Sequence, residues 1–210
     1  MIVAQIMNEQ LENILSQDSI VVVQATEWKN IALGFDSANK YNVFDQNGQQ
    51  LGMAAEEGGG AGGWLIRQFL NSRRPCKIHI YDTQGQEVAT GKKPFRLFFS
   101  EMSAFVNEQF LGRARRRFSI LKRRYSIESK TPPFDIESSI FQFGKYTFDI
   151  TRNGAPVATI TKHFEGVMKM AFTQADSFSI TFKDSRLTLE ERCVLLFTLF
   201  LIDFDVFEQR

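Results

Sequence analysis

The sequence predicts a mainly β protein, a closed or nearly closed antiparallel β-barrel around one hydrophobic helix near the C-terminus. Three observations predict it. The final stretch, "CVLLFTLFLIDFDVFEQR" (193–210), is apolar on every side yet short. One hairpin phrase recurs three times along the chain. Phe is over-represented, 21 against 2 Trp and 4 Tyr, which implies a core packed with flat apolar rings.

The final stretch comes first because it separates a membrane-spanning protein from one that fills its own interior. A spanning helix needs about 20 mostly apolar residues. The uncharged run from Cys193 to Ile202 reaches only roughly 15 Å at a rise of ~1.5 Å per residue. Glu190, Glu191 and Arg192 precede it, and Asp203 and Asp205 follow. Each such charge at depth costs about 2.5–3.5 kcal/mol on insertion scales. Thr188-Leu189-Glu190-Glu191 has the form of a capping box, which predicts a water-type start and a helix over about 189–203. A helix apolar all round must be surrounded by protein or lipid. One sheet face would cover only part of it, whereas a barrel would cover all of it.

The body reads as hairpins. "YNVFDQNGQQLGMAAEE" (41–57) turns at Asn47-Gly48, where both turn residues tolerate positive φ. "KIHIYDTQGQEVATG" (77–91) alternates around Ile78 and Ile80 and turns at Gln84-Gly85. "FGKYTFDITRNGAPVATITK" (143–162) turns at Asn153-Gly154. In each, an apolar residue (Leu51, Val88, Val157) follows the turn glycine by three positions, and a small one (Gly52, Ala89, Ala158) comes next. Such echoes point to a repeated meander. "SIVVVQAT" (19–26), "RFSILKRRYSIE" (117–128) and "SFSITF" (177–182) supply further strands, and Pro132-Pro133 marks a connection between two halves of the sheet. "EEGGGAGGW" (56–64) reads as a flexible loop and lacks the Gly-Lys-Ser/Thr ending of a phosphate-binding loop.

At the N-terminus, Val3, Ile6, Met7, Leu11, Ile14 and Leu15 recur at helical spacing. This predicts an amphipathic helix over residues 1–18 ahead of a barrel domain over 19–210. The start has no basic n-region or small-residue cleavage site. The two cysteines, Cys76 and Cys193, fit a reducing compartment, with Cys193 a small core residue. Net charge is +1, so any anion-binding site must be local.

The residues also resemble a known family, the phospholipid scramblases. "ITKHFEGVMKMAFTQADSFSITF" (160–182) followed by "LIDFDVFE" (201–208) carries the likeness most densely, and "KYNVFDQNGQQLGMAAEE" and "RPCKIHIYDTQGQEV" add to it. The family is similar in fold to the Tubby C-terminal domain, an antiparallel barrel of about twelve strands around one hydrophobic helix. The resemblance implies a role at membranes, including calcium-triggered movement of phospholipids between leaflets. The family's calcium segment falls on residues 174–184, with Asp176 and Asp184 as the weak metal candidates. Calcium needs six to eight oxygens and a turning glycine. Here Gln174 and Ser179 take the places of an acid and that glycine, and the alternation of Phe178, Ile180 and Phe182 predicts a strand instead. No other cofactor is expected. Animal members often carry an acylated cysteine-rich stretch, but the corresponding "KKPFRLFFSEMSAFVNEQF" has no cysteine.

The candidate binding site is the basic run "RARRRFSILKRR" (113–124), with Arg113, Arg115, Arg116, Arg117, Lys122, Arg123 and Arg124 and no acid. It reads either as a patch for anionic headgroups or as a strand whose charged outer face prevents edge pairing. Phe118 and Tyr125 alone are too sparse for a base-stacking platform, so nucleic acid is disfavoured. His79 and His163 have no nucleophile or carboxylate at motif spacing, and no zinc, Gly-x-Ser-x-Gly or dinucleotide pattern occurs. The sequence therefore predicts a non-enzymatic, cytoplasmic, peripherally membrane-associated protein with anionic phospholipids as partners. The alternative is a soluble adaptor that binds protein or nucleic acid through its basic surface.

Overall fold

Alternation of buried and more exposed residues marks several of the strands, Glu101–Val106 and Phe134–Ser138 among them. A computed structural model describes residues 7–25, 37–58, 74–120, 122–138, 145–163 and 177–207. Among them are twelve strands. The first six are β1 (Ser19–Ala25), β2 (Ser37–Asp45), β3 (Gln50–Glu57), β4 (Cys76–Tyr81), β5 (Glu87–Lys93) and β6 (Glu101–Val106). The rest are β7 (Gln109–Arg117), β8 (Arg124–Ser129), β9 (Phe134–Ser138), β10 (Lys145–Arg152), β11 (Ala155–His163) and β12 (Ser177–Phe182). Each pairs antiparallel with its sequence neighbours, and β1 closes on β12 with Ile20 opposite Ile180. An up-and-down meander closes antiparallel only with an even number of strands, and closure leaves no free edge.

The geometry refines the hairpins. Asn153 and Gly154 both have positive φ (52° and 78°), as a two-residue turn requires. At Asn47-Gly48 only Gly48 does, at 85°. There the Asp45 carboxylate accepts from the backbone N–H groups of Asn47 and Gln49, both at 2.8 Å. Asp82 does the same for Gln84 and Gln86 at 2.9 Å, with Gly85 at φ 82°. The repeated element is thus Asp-x-x-Gly-Gln, an aspartate that organises its own turn. Leu51, Val88 and Val157 are all buried in the core.

Two expectations change. Residues 117–128 are not one strand: β7 ends at Arg117 and β8 begins at Arg124, with a connection between them. The connection follows from the run itself, because Phe118 and Ile120 have no barrel interior to enter and stay exposed. Pro132-Pro133 does not divide the sheet either, since β8 and β9 flank it and pair directly.

The β6–β7 turn is made by Asn107 and Glu108, both left-handed (φ 47° and 62°). A glutamate in this region costs about 1 kcal/mol that glycine does not. Glu108→Gly is therefore expected to stabilise the barrel by roughly 0.5–1 kcal/mol, read as a higher urea midpoint. A lower midpoint would contradict it.

Two helices accompany the barrel. The first, α1 (Glu9–Leu15), is capped by the Asn8 side chain, which accepts from the Leu11 N–H at 2.8 Å. Leu11, Ile14 and Leu15 are fully buried in the same core as the barrel; Val3 and Ile6 lie outside the described residues. The second, α2 (Leu189–Val206), starts at the expected capping box and runs three residues past 203. Every residue from Glu191 to Asp205 is buried, so the helix is enclosed on all faces. Among the described residues no helix is long and apolar enough to cross a membrane.

Direction of travel gives the barrel two unlike rims. Connections after even-numbered strands through β10 are short turns at one rim. The segment leading to α2 lies there too, with Lys183 N–H donating to the Val157 carbonyl at 2.8 Å. The Arg192 guanidinium ties α2 to α1 at this end through the Leu15 and Gln17 carbonyls, both at 3.0 Å. The C-terminal turn of α2 reaches the opposite rim. Of that rim's connections, 94–100 and 118–123 are described, the latter without Leu121.

Candidate functional site

The basic run occupies the end of β7, the 118–123 connection and the start of β8. In β7, Gly112 and Ala114 are buried, which turns Arg113, Arg115 and Arg117 outward. Arg116 has the interior parity and lies opposite Tyr125. Sequence proximity thus overstates how far these cations act together.

Register also supplies acids that a linear reading of 113–124 does not see. Arg113 lies directly opposite Glu128 and pairs with it at 2.6 Å. Arg115 lies opposite Glu101 and pairs with it at 3.1 Å, while Arg96 holds the other Glu101 oxygen at 2.6 Å. Arg124 lies opposite Glu137 and pairs with it, and Lys122 reaches the same carboxylate at 3.0 Å. These are the cross-strand opposite-charge pairs that stabilise a sheet face. Neighbouring cations hold the carboxyls of Glu128 and Glu137 below the usual range. Arg117 bonds the Ser126 hydroxyl at 2.7 Å, and no side-chain ion pair holds Arg116 or Arg123 among the described residues.

A positive excess survives the pairing. Residues 92–124 hold ten Lys or Arg against Glu101 and Glu108, a net +8 in a chain whose total is +1. Glu108 sits at the turn rim, so nearly all of this charge gathers toward the other rim. A cleft of about 680 Å³ opens beside Arg117, Phe118, Lys122 and Arg124. Asp135, Glu137 and Asp149 line its far wall, so the cleft itself is electrically mixed and the excess lies along its lip.

The rim is rooted in the core. The Ser100 hydroxyl, in the 94–100 connection, donates to Asp205 of α2. Tyr125 donates to the same carboxylate at 3.4 Å, and Tyr41 to Asp203 at 2.8 Å. Burial raises the Asp205 carboxyl above its ordinary range, against the pull of Ser100, Lys93, Arg116 and Tyr125. Burial likewise pushes Tyr125 up.

The described part of the segment that resembles the family's calcium segment is strand from Ser177 to Phe182. Phe178, Ile180 and Phe182 of β12 are buried and their polar neighbours face away, which spreads the side chains over both faces of the wall. Asp184 is held by Arg186 at 2.9 Å, and that guanidinium lowers its carboxyl to about 2. Asp176 lies outside the described residues. Among the described residues no group of three or more His, Cys, Asp or Glu could hold a metal ion. The described residues 177–182 therefore form a strand and not a loop.

The histidines stand in strand walls. His79 sits between Glu57 at 3.7 Å and Glu87 at 3.1 Å, and His163 bonds the Ser179 hydroxyl at 3.0 Å. Cys76 and Cys193 are not joined in a disulfide, and burial pushes Cys193 up to about 12, which makes it inert.

Comparison with known proteins agrees with this picture. The chain is 26% identical to Altered inheritance rate of mitochondria protein 25 of Saccharomyces cerevisiae, over 93% of this chain and 72% of that protein. It is 25% identical to a phospholipid scramblase family protein of Schizosaccharomyces pombe, over 97% and 63%. It is 28% identical to Phospholipid scramblase 1 of Homo sapiens, over 94% and 65%. The chain thus spans roughly two thirds of these relatives' length. No solved structure matches. The family model described as Scramblase matches residues 1–209, every described strand and both helices included, and the chain belongs to the scramblase family.

Proposed function

We propose that this protein binds anionic phospholipid surfaces peripherally, without covalent chemistry, through the cationic rim built from β5 to β8. Family membership supports a phospholipid-related role. The observation that carries the finer reading is the segregation of charge: a net +8 over residues 92–124, balanced by acids elsewhere on the chain. Each basic residue near an anionic surface contributes about 1 kcal/mol, screened within a Debye length. Among the described residues Arg117 and Arg123 make no ion pair with a carboxylate, so their attraction is least cancelled within the protein.

Sedimentation with vesicles tests this. Binding is expected to rise with the fraction of phosphatidylserine and to fall as salt increases. Arg117→Gln with Arg123→Gln is expected to weaken it roughly 30-fold, about 1 kcal/mol for each cation. Binding that is absent at low salt, or indifferent to both lipid charge and salt, would overturn the proposal and favour a protein partner for this face.

A further inference from the structure

Seven large apolar side chains are exposed among the described residues, and six of them lie on the two described connections of the cationic rim. Phe95, Leu97, Phe98 and Phe99 stand on 94–100, and Phe118 and Ile120 on 118–123. Phe98 is 85% exposed and Ile120 86%. A single exposed apolar residue is ordinary, but six on two neighbouring loops at one end of a barrel are not. The 94–100 loop is tied to the end of β7, from which the second loop departs, since the Arg116 N–H donates to the Ser100 carbonyl at 2.9 Å. Ser100 in turn is fastened to Asp205 of the buried helix, so the 94–100 loop is mounted on the core.

The cations interleave with this apolar tip. Arg96 separates Phe95 from Leu97, and Lys122 and Arg123 follow Ile120 closely. A protein groove would accept the apolar side chains but would not call for the surrounding positive charge. An anionic bilayer matches both, with acyl chains for the rings and phosphates for the guanidinium groups. We propose that the 94–100 and 118–123 loops insert together into the interfacial layer of an anionic bilayer. Phe98 and Ile120 penetrate deepest while Arg96, Lys122 and Arg123 remain at headgroup level. The insertion rests on the peripheral-binding reading and adds an orientation: the barrel stands with its turn rim away from the membrane.

The test separates insertion from electrostatic contact. Phe98→Trp, on vesicles containing phosphatidylserine and brominated phosphatidylcholine, is expected to show fluorescence quenching beyond that of the parent, whose two Trp give the background. Phe98→Ser with Ile120→Ser is expected to weaken vesicle binding by about tenfold or more, and to leave the urea midpoint unchanged because both side chains are already exposed. If the parent binds anionic vesicles but Phe98→Trp is not quenched and the serine variant binds equally well, insertion is overturned while peripheral binding stands. If the parent does not bind at all, the peripheral reading fails first. A dimer that the serine variant dissociates, without quenching of the Trp variant, would overturn insertion and assign the loops to a second copy of the chain.

Discussion

Phe200→Ala is expected to lower the unfolding free energy by about 3–5 kcal/mol, at the upper end of what a single core truncation costs. Phe200 is fully buried on α2, its ring edge-on to Tyr41 at 5.3 Å between centroids and tilted against Phe197 at 6.3 Å. In an open core the neighbours would relax into the void. Here the wall is a closed ladder of twelve strands, whose circumference is set by strand number and stagger, so it cannot shrink around a missing ring. The cavity would stay open and forfeit its contacts. Urea unfolding by circular dichroism should show a lower midpoint with an unchanged slope, and Phe200→Leu should recover most of the loss. If Phe200→Ala leaves the midpoint in place, α2 is not the core of the barrel.

That central element is legible in the sequence because its signals are local. The run is too short for lipid and too uniformly apolar for a surface, and the Thr188 and Glu191 capping box marks its start. The strands are legible wherever alternation is clean, as in Ile78-His79-Ile80 or Phe178-Ser179-Ile180. Alternation fails at 117–128 because the apolar Phe118 and Ile120 imitate inward-facing residues. Nothing local distinguishes a side chain that enters the core from one left at a rim. Only the register, with Arg117 opposite Arg124, shows that the chain must turn between them.

The candidate site is less legible for the same reason. A linear window counts seven cations and no acid, whereas the barrel sets Glu128, Glu101 and Glu137 directly across from Arg113, Arg115 and Arg124. Those acids come from β6, β8 and β9, outside the run itself, and become visible only once pairing is assigned. The apolar tip is hidden too, because "FRLFF" reads as ordinary core material in a Phe-rich chain. Its exposure follows from its place between β5 and β6, outside the barrel wall.

The opposite rim gives the second large effect. Glu191 is buried, and its carboxylate serves three donors at once. It accepts from the Thr188 N–H at 2.8 Å, completing the capping box, and from the Thr131 hydroxyl, and it pairs with Arg152. Arg152 also lies over the Phe134 ring at 4.2 Å and donates to Thr131 at 3.3 Å. Glu191→Ala would strip a mostly buried guanidinium of its carboxylate and free the first turn of the only helix inside the described barrel. Breaking a buried pair costs about 3–5 kcal/mol, and the partial exposure of Arg152 reduces this to roughly 2–4. Thr188→Ala, which removes only the other half of the cap, should cost about 1 kcal/mol. The charge argument makes a sharper demand on the double variant. Arg152→Met with Glu191→Met removes both ions and leaves two apolar chains against Phe134, so it should be more stable than Glu191→Ala alone. If the double variant is instead the less stable, the pair contributes attraction beyond its desolvation, and the rim is held by the ions rather than by the packing of α2.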